Sequence, residues 1–170
     1  MIEKRALLLV RSVTNSFIIC YLDNRTCLST RQLVFGLKNM VTKDNYSIMI
    51  LDDDEDIITL YRDYLSKMGH RIICTYLNTN SILQDIDIEH PDAYILDYKL
   101  RGNINGLEVA MEILKKFPIS CIVFITAFEM LEKEISKHDA FYDKNIDILI
   151  KPVKLKRIQD SLLCLLNKLN

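Results

Sequence analysis

The chain has 170 residues, 49% of them hydrophobic and 26% charged, enough for one domain with a sizeable core and an extension. Its net charge of −1 gives no electrostatic ground for a nucleic-acid or anionic-membrane partner. The balance is uneven: six basic residues against two acids in 1–39 (+4) leave sixteen against twenty-one in 40–170 (−5). In residues 1–45 the apolar runs "ALLLV" and "FIICYL" are too short and too interrupted to span a membrane. No small-residue cleavage site follows the basic start, so a removed leader is not indicated. Two strands of an appended hairpin suit these runs.

From Tyr46 onward, short β-branched runs alternate with helical patterns. The strand candidates are "SIMIL" (47–51), "RIICT" (71–75), "AYILD" (93–97), "CIVFI" (121–125) and "IDILI" (146–150). Each is apolar at nearly every position, as when both faces of a strand are covered. The helical segments are "DIITLYRDYLSKMG", "NSILQDIDIEH", "GLEVAMEILKKF", "MLEKEISKHDAFY" and "KLKRIQDSLLCLLNKL". In the last, Leu155, Ile158, Leu162, Leu165, Leu166 and Leu169 recur at helical spacing. Gly69 and Pro118 act as stop signals. Five strands, each followed by a helix, predict an α/β fold: a doubly wound five-stranded parallel sheet flanked by five helices.

The cysteines, Cys20, Cys27, Cys74, Cys121 and Cys164, are odd in number and form no CxxC. They read as buried, reduced thiols of a cytoplasmic protein. His70, His90 and His138 are isolated, so no zinc cluster is indicated. The four glycines make no phosphate-cradling loop.

Ligands of such a sheet bind beyond the carboxyl ends of its strands, at the switch in strand order. That edge receives Asp52 and Asp53, Asp97, Thr126 and Lys151. "IMILDDDEDI" (48–57) ends a strand in five consecutive acids, which repel one another and cannot be buried unpaired. Asp54, Glu55 and Asp56 suit a helix start. Asp52 and Asp53 with Asp97 suit a hard cation, and Mg²⁺ fits oxygen ligands with room for water. Such an ion would leave an Asp97 oxygen free to attack phosphorus, with Thr126 and Lys151 available to the phosphoryl oxygens.

With these residues in place, the stretch 46–168 resembles the receiver domain of two-component response regulators, a flavodoxin-like fold. "IMILDDDEDI" matches the acidic turn, "PDAYILDYKL" the phosphoacceptor strand, "NGLEVA" the start of the third helix, "VFITA" the switch hydroxyl and "LIKPV" the lysine. The resemblance implies that Asp97 is the phosphoacceptor, with Thr126 and Lys151 completing the site. It implies metal ligation by Asp52, Asp53, Asp97 and the backbone carbonyl of Lys99, with Mg²⁺ as cofactor. It implies a cis Lys151–Pro152 bond, phosphotransfer from a sensor histidine kinase or histidine phosphotransfer protein, and output by contact with a downstream protein. A phosphoacceptor signalling domain rather than an enzyme is expected, stand-alone and cytoplasmic, with no further output domain after the last helix.

Two rivals stand beside that reading. One is a degenerate receiver that binds a partner without phosphorylation, against which the intact Asp52, Asp53, Asp97, Thr126 and Lys151 count. The other is a phosphohydrolase with Asp97 as nucleophile, which needs a further general acid that Lys99 supplies poorly. The chain departs from the family in two places. Arg101 stands where many receivers have proline, in a slightly longer loop. Ile148 stands where the family often has Phe or Tyr. Residues 1–45 match nothing in the family, and Met40 is a second candidate start, since "MVTKDNYSIMILDDD" opens as a compact receiver would.

Overall fold

In the computed structural model the described residues are 7–11, 17–21, 45–86, 90–101 and 103–168. Met40, Cys27 and Leu169 lie outside them. The chain divides into two compact units, Met1–Thr42 and Lys43–Asn170. In the first, β1 (Leu7–Arg11) and β2 (Phe17–Tyr21) pair antiparallel, with Leu7 opposite Tyr21 and Arg11 opposite Phe17. This pair falls on the two apolar runs of the extension.

The second unit contains β3 (Ser47–Leu51), α1 (Glu55–Lys67), β4 (Arg71–Tyr76), α2 (Thr79–Asp85), β5 (Ala93–Leu96) and α3 (Gly106–Lys116). β6 (Cys121–Thr126), α4 (Leu131–Ile135), β7 (Ile146–Ile150) and α5 (Leu155–Leu166) complete it. The strand order is β4-β3-β5-β6-β7, and every neighbouring pair is parallel. The predicted doubly wound sheet is therefore present. Its order reverses between the adjacent strands β3 and β5, which is where such sheets open a crevice.

Alternation along the strands divides the core in two. Ile48, Ile50, Ile95, Val123 and Ile125 pack against Ile58, Tyr61 and Leu65 of α1 and Ile158, Leu162 and Leu165 of α5. Met49, Leu51, Tyr94, Leu96, Ile122 and Phe124 meet Ile82, Val109, Ala110, Ile113 and Leu131 on the other face. Burying each large aliphatic side chain here contributes about 2 kcal/mol. The central strands β3, β5 and β6 are covered on both faces, as their composition predicts. β4 and β7 are sheet edges and only partly covered.

Three expectations are corrected. The thiols are not all buried: Cys121 is, Cys74 is half-buried, and Cys164 is exposed. Cys164 lies two residues from both Leu162 and Leu166, about 200° around the helix from each, and so faces away from the core. The fourth helical segment is broken into α4 and a 3₁₀ turn at Asp139–Phe141. Leu131 and Ile135 supply one apolar turn, and the intervening "SKHD" gives nothing to bury before Phe141. Finally β5 stops at Leu96, so Asp97 lies just past the strand rather than within it.

The acidic run starts α1 as expected. The Asp54 carboxylate accepts from the N–H groups of Asp56 (2.9 Å) and Ile57 (3.3 Å), and Glu55 and Asp56 occupy the first turn. At the other end Gly69 takes φ 93°, a conformation costly for any side chain. Asp54→Ala should remove the cap and lower unfolding free energy by about 1 kcal/mol in a denaturant titration. An unchanged midpoint would mean that this acid does not hold the helix start.

Candidate functional site

Parallel pairing sends all five strand C-termini to one edge, and the ladder continues a residue beyond several of them. Asp97 N–H donates to Leu51 O (2.8 Å), Asp52 N–H to Tyr76 O (3.2 Å) and Lys151 N–H to Thr126 O (2.8 Å). These bonds fix the backbone that carries the acids and the lysine. By alternation Asp52 continues the series Ile48–Ile50, Asp97 continues Ala93–Ile95, and Lys151 follows Leu149. All three therefore emerge on the α1/α5 side.

There they meet. Lys151 Nζ lies 2.8 Å from Asp52 Oδ2 and 2.8 Å from Asp97 Oδ2. The two carboxylates are 3% and 9% exposed and the lysine side chain 24%, so the ammonium bridges two nearly buried anions. Burial drives the Asp52 carboxyl above its ordinary range, against the opposing pull of Lys151. Burial works to lower the Lys151 pKa, but its hydrogen bonds to Asp52 and Asp97 and their charges outweigh that and raise it above the ordinary lysine range. The other carboxylate oxygens also have donors: Asp54 N–H to Asp52 Oδ1 (3.0 Å) and Lys99 N–H to Asp97 Oδ1 (3.2 Å). Beneath them the buried Tyr61 phenol is pushed up to about 12, mainly by desolvation.

Asp53 is more open. Its Oδ2 is 3.0 Å from Arg101 Nε, the arginine side chain being 88% exposed. Asp52, Asp53 and Asp97 can each place one carboxylate oxygen within 4.8 Å of the others. An all-oxygen donor set of this size suits a hard divalent cation such as Mg²⁺. Thr126, at the end of β6, has its hydroxyl bonded to the loop that follows. It follows the opposite alternation, with Ile122 and Phe124, and its fully buried hydroxyl accepts from Phe128 N–H (3.1 Å). Phe128 in turn stacks on Tyr98, with ring centroids 4.8 Å apart. The Lys151–Pro152 bond is cis, as the resemblance implies. Ile148 is half-buried, opposite Phe124 in the β6–β7 register.

Two contributors escape a reading of motifs alone. One is Arg101, visible in sequence only as a departure from proline. The other is Gly106, the first residue of α3, whose N–H donates to Tyr98 O (3.0 Å). A Cβ there would lie 1.9 Å from the Asp97 carbonyl oxygen and 3.1 Å from Tyr98 Cα. The "NG" of "NGLEVA" thus divides two tasks. Asn105 caps α3 through Leu107 N–H (2.9 Å) and Glu108 N–H (3.1 Å), and Gly106 lets that helix approach the Asp97 backbone.

The model of the response regulator receiver domain matches residues 48–163. The chain belongs to that family. An uncharacterized response regulatory protein of Vibrio cholerae is 31% identical over 115 residues, covering 64% of this chain and 41% of its own. The alkaline phosphatase synthesis transcriptional regulatory protein PhoP of Bacillus subtilis is 30% identical over 83 residues, covering 49% and 34%. The chain thus spans less than half the length of either relative. The polar-differentiation response regulator DivK of Brucella ovis is 33% identical over 92 residues, covering 49% of this chain and 68% of its own. Among solved structures, the response regulator TrrA of Thermotoga maritima in complex with Mg²⁺-BeF superposes with a TM-score of 0.59 at 26% identity, over 70% of this chain and 97% of that one. The signal receiver domain of a modulated diguanylate cyclase from Desulfovibrio desulfuricans gives 0.63 at 21% identity, over 74% and 96%. Among the described residues of this receiver, no helix is long and apolar enough to cross a membrane.

Gly106→Ala should destabilise the receiver by about 3 kcal/mol, because the clash is with backbone that cannot rotate away. Chemical denaturation measures this directly. A neutral substitution would show that α3 can retreat from Asp97 without cost.

Proposed function

We propose that this receiver is a Mg²⁺-dependent phosphoacceptor of a two-component phosphorelay and that Asp97 carries the phosphoryl group. The observation that supports the reading best is the meeting of Asp97 with Asp52, Asp53 and Lys151 at one end of the sheet, in a chain of the receiver family. Asp52, Asp53, Asp97 and the Lys99 carbonyl would hold the cation. When bound, the ion neutralises charge on the phosphoryl oxygens. An Asp97 oxygen attacks phosphorus while the bond to the donor's imidazole nitrogen breaks. The electron pair stays on that nitrogen, and the product is an acyl phosphate. Lys151 already lies against Asp97 and is placed to pair with a phosphoryl oxygen. Its charge is held by the same two carboxylates.

The donor would be a phosphohistidine on a sensor histidine kinase or a histidine phosphotransfer protein, and the output a contact with a downstream protein. A domain that signals without phosphorylation would have no need of Asp97, Lys151 and the acid pair together. Thr126 is the part that must move. Turning its hydroxyl toward the phosphoryl group gives up the bond from Phe128 N–H, which frees the loop at 127–130. Ile148 has no ring to follow it and is stiff about its first torsion. The altered surface would then be that loop, where Met130 is already exposed, rather than a repacked β7.

Incubation with acetyl phosphate and Mg²⁺ should add one phosphoryl mass to the intact protein. Asp97→Asn or removal of the cation with EDTA should abolish the gain. Phosphate retained on the Asn variant, mapped to another residue, would place the acceptor elsewhere. In NMR spectra of the beryllofluoride-treated protein, Thr126 and residues 127–130 should shift clearly more than Ile148. Equal shifts along β7 would mean that the change spreads through the sheet despite the missing ring.

A further inference from the structure

The pairing of Arg101 with Asp53 bears on the cation reading above, on which this inference rests. Asp53 is the least buried of the three acids and the one without Lys151 as a counter-ion. Its partner is instead a guanidinium from the loop after Asp97, at 3.0 Å. A divalent cation bound to Asp53 Oδ2 would compete for an oxygen already in use. It would also bring a double positive charge close to a fixed single one. The two cations cannot share that oxygen without strong repulsion, and with 88% of the arginine side chain in solvent, leaving is easy. We propose that Arg101 is a built-in competitor for the divalent cation: the Arg101–Asp53 ion pair and cation binding at Asp53 exclude each other, so this side chain lowers cation affinity. It acts on the cation through Asp53, the acid with which it pairs.

The geometry sets the size of the effect. An exposed pair of this kind changes an equilibrium by up to a factor of about five. Arginine and lysine share the charge but not the fixed fork. Arg101→Gln should therefore lower the Kd for Mg²⁺ about three- to fivefold by calorimetry, and Arg101→Lys should give a smaller change. The gap between wild type and the Gln variant should narrow as NaCl is raised, because salt screens the competing pair. Because the side chain is exposed, circular dichroism should show both variants folded. A separate readout follows the arginine itself: on Mg²⁺ saturation of the wild type, the Arg101 Nε–H resonance should move to the position of an unpaired guanidinium. Equal Mg²⁺ affinity in wild type and the Gln variant, or an Nε–H signal unmoved at saturation, would overturn the competition. If none of the three proteins binds Mg²⁺, the cation reading itself is wrong, and that outcome is distinct from the other two.

Discussion

A single ammonium between two buried carboxylates is the constraint on which the rest of this receiver depends. Asp52 and Asp97 stand at the ends of adjacent central strands, almost out of water, where two like charges are costly. Lys151 reaches both at 2.8 Å and makes the arrangement tolerable. The surrounding structure serves this contact. Ladder bonds to Leu51, Tyr76 and Thr126 fix the three backbones, and Gly106 lets α3 close over the Asp97 peptide. The same contact leaves the edge poised, since lone pairs facing one cation are also suited to another. A cation placed at these oxygens would share a charge balance that Lys151 provides here.

The fold was legible because continuous apolar runs mark strands covered on both faces. Apolar runs located the strands and parallel pairing sent Asp52, Asp97 and Lys151 to one edge; that the ammonium bridges both carboxylates was not read, although alternation sets all three on one side. The same alternation sets Thr126 on the opposite side, a consequence that grouping the site residues by edge alone overlooks. What sequence did not reveal depends on contacts across loops. The Arg101–Asp53 pair joins two turns whose separation no periodicity encodes. Gly106 is explained by the Asp97 carbonyl nine residues earlier in the chain, not by its helix. The broken fourth helix and exposed Cys164 reflect local shortage of apolar residues and position around a helix, both readable in principle from the 3.6-residue period.

Three features shape the surroundings of the site. Arg101 adds a positive charge at the mouth of the acidic cluster. Tyr98 and Phe128 stack between the loops after β5 and β6, tying the residue after Asp97 to the one bonded to Thr126. Ile148 places a β-branched aliphatic side chain on β7. Together they place adaptable parts in the loops around the site and a stiff side chain in the sheet. A change at Asp97 is then expressed near where it arises.

The most direct test is the dependence of stability on Mg²⁺ in Lys151→Met, a variant of similar length without the charge. Without Mg²⁺ it should be less stable than wild type by about 3 kcal/mol, because two buried carboxylates lose their shared partner. Added Mg²⁺ should then raise its melting temperature by more than it raises that of the wild type, since the ion takes on compensation that the lysine had provided. A variant as stable as wild type without the ion, or one that gains no more from it, would contradict the account.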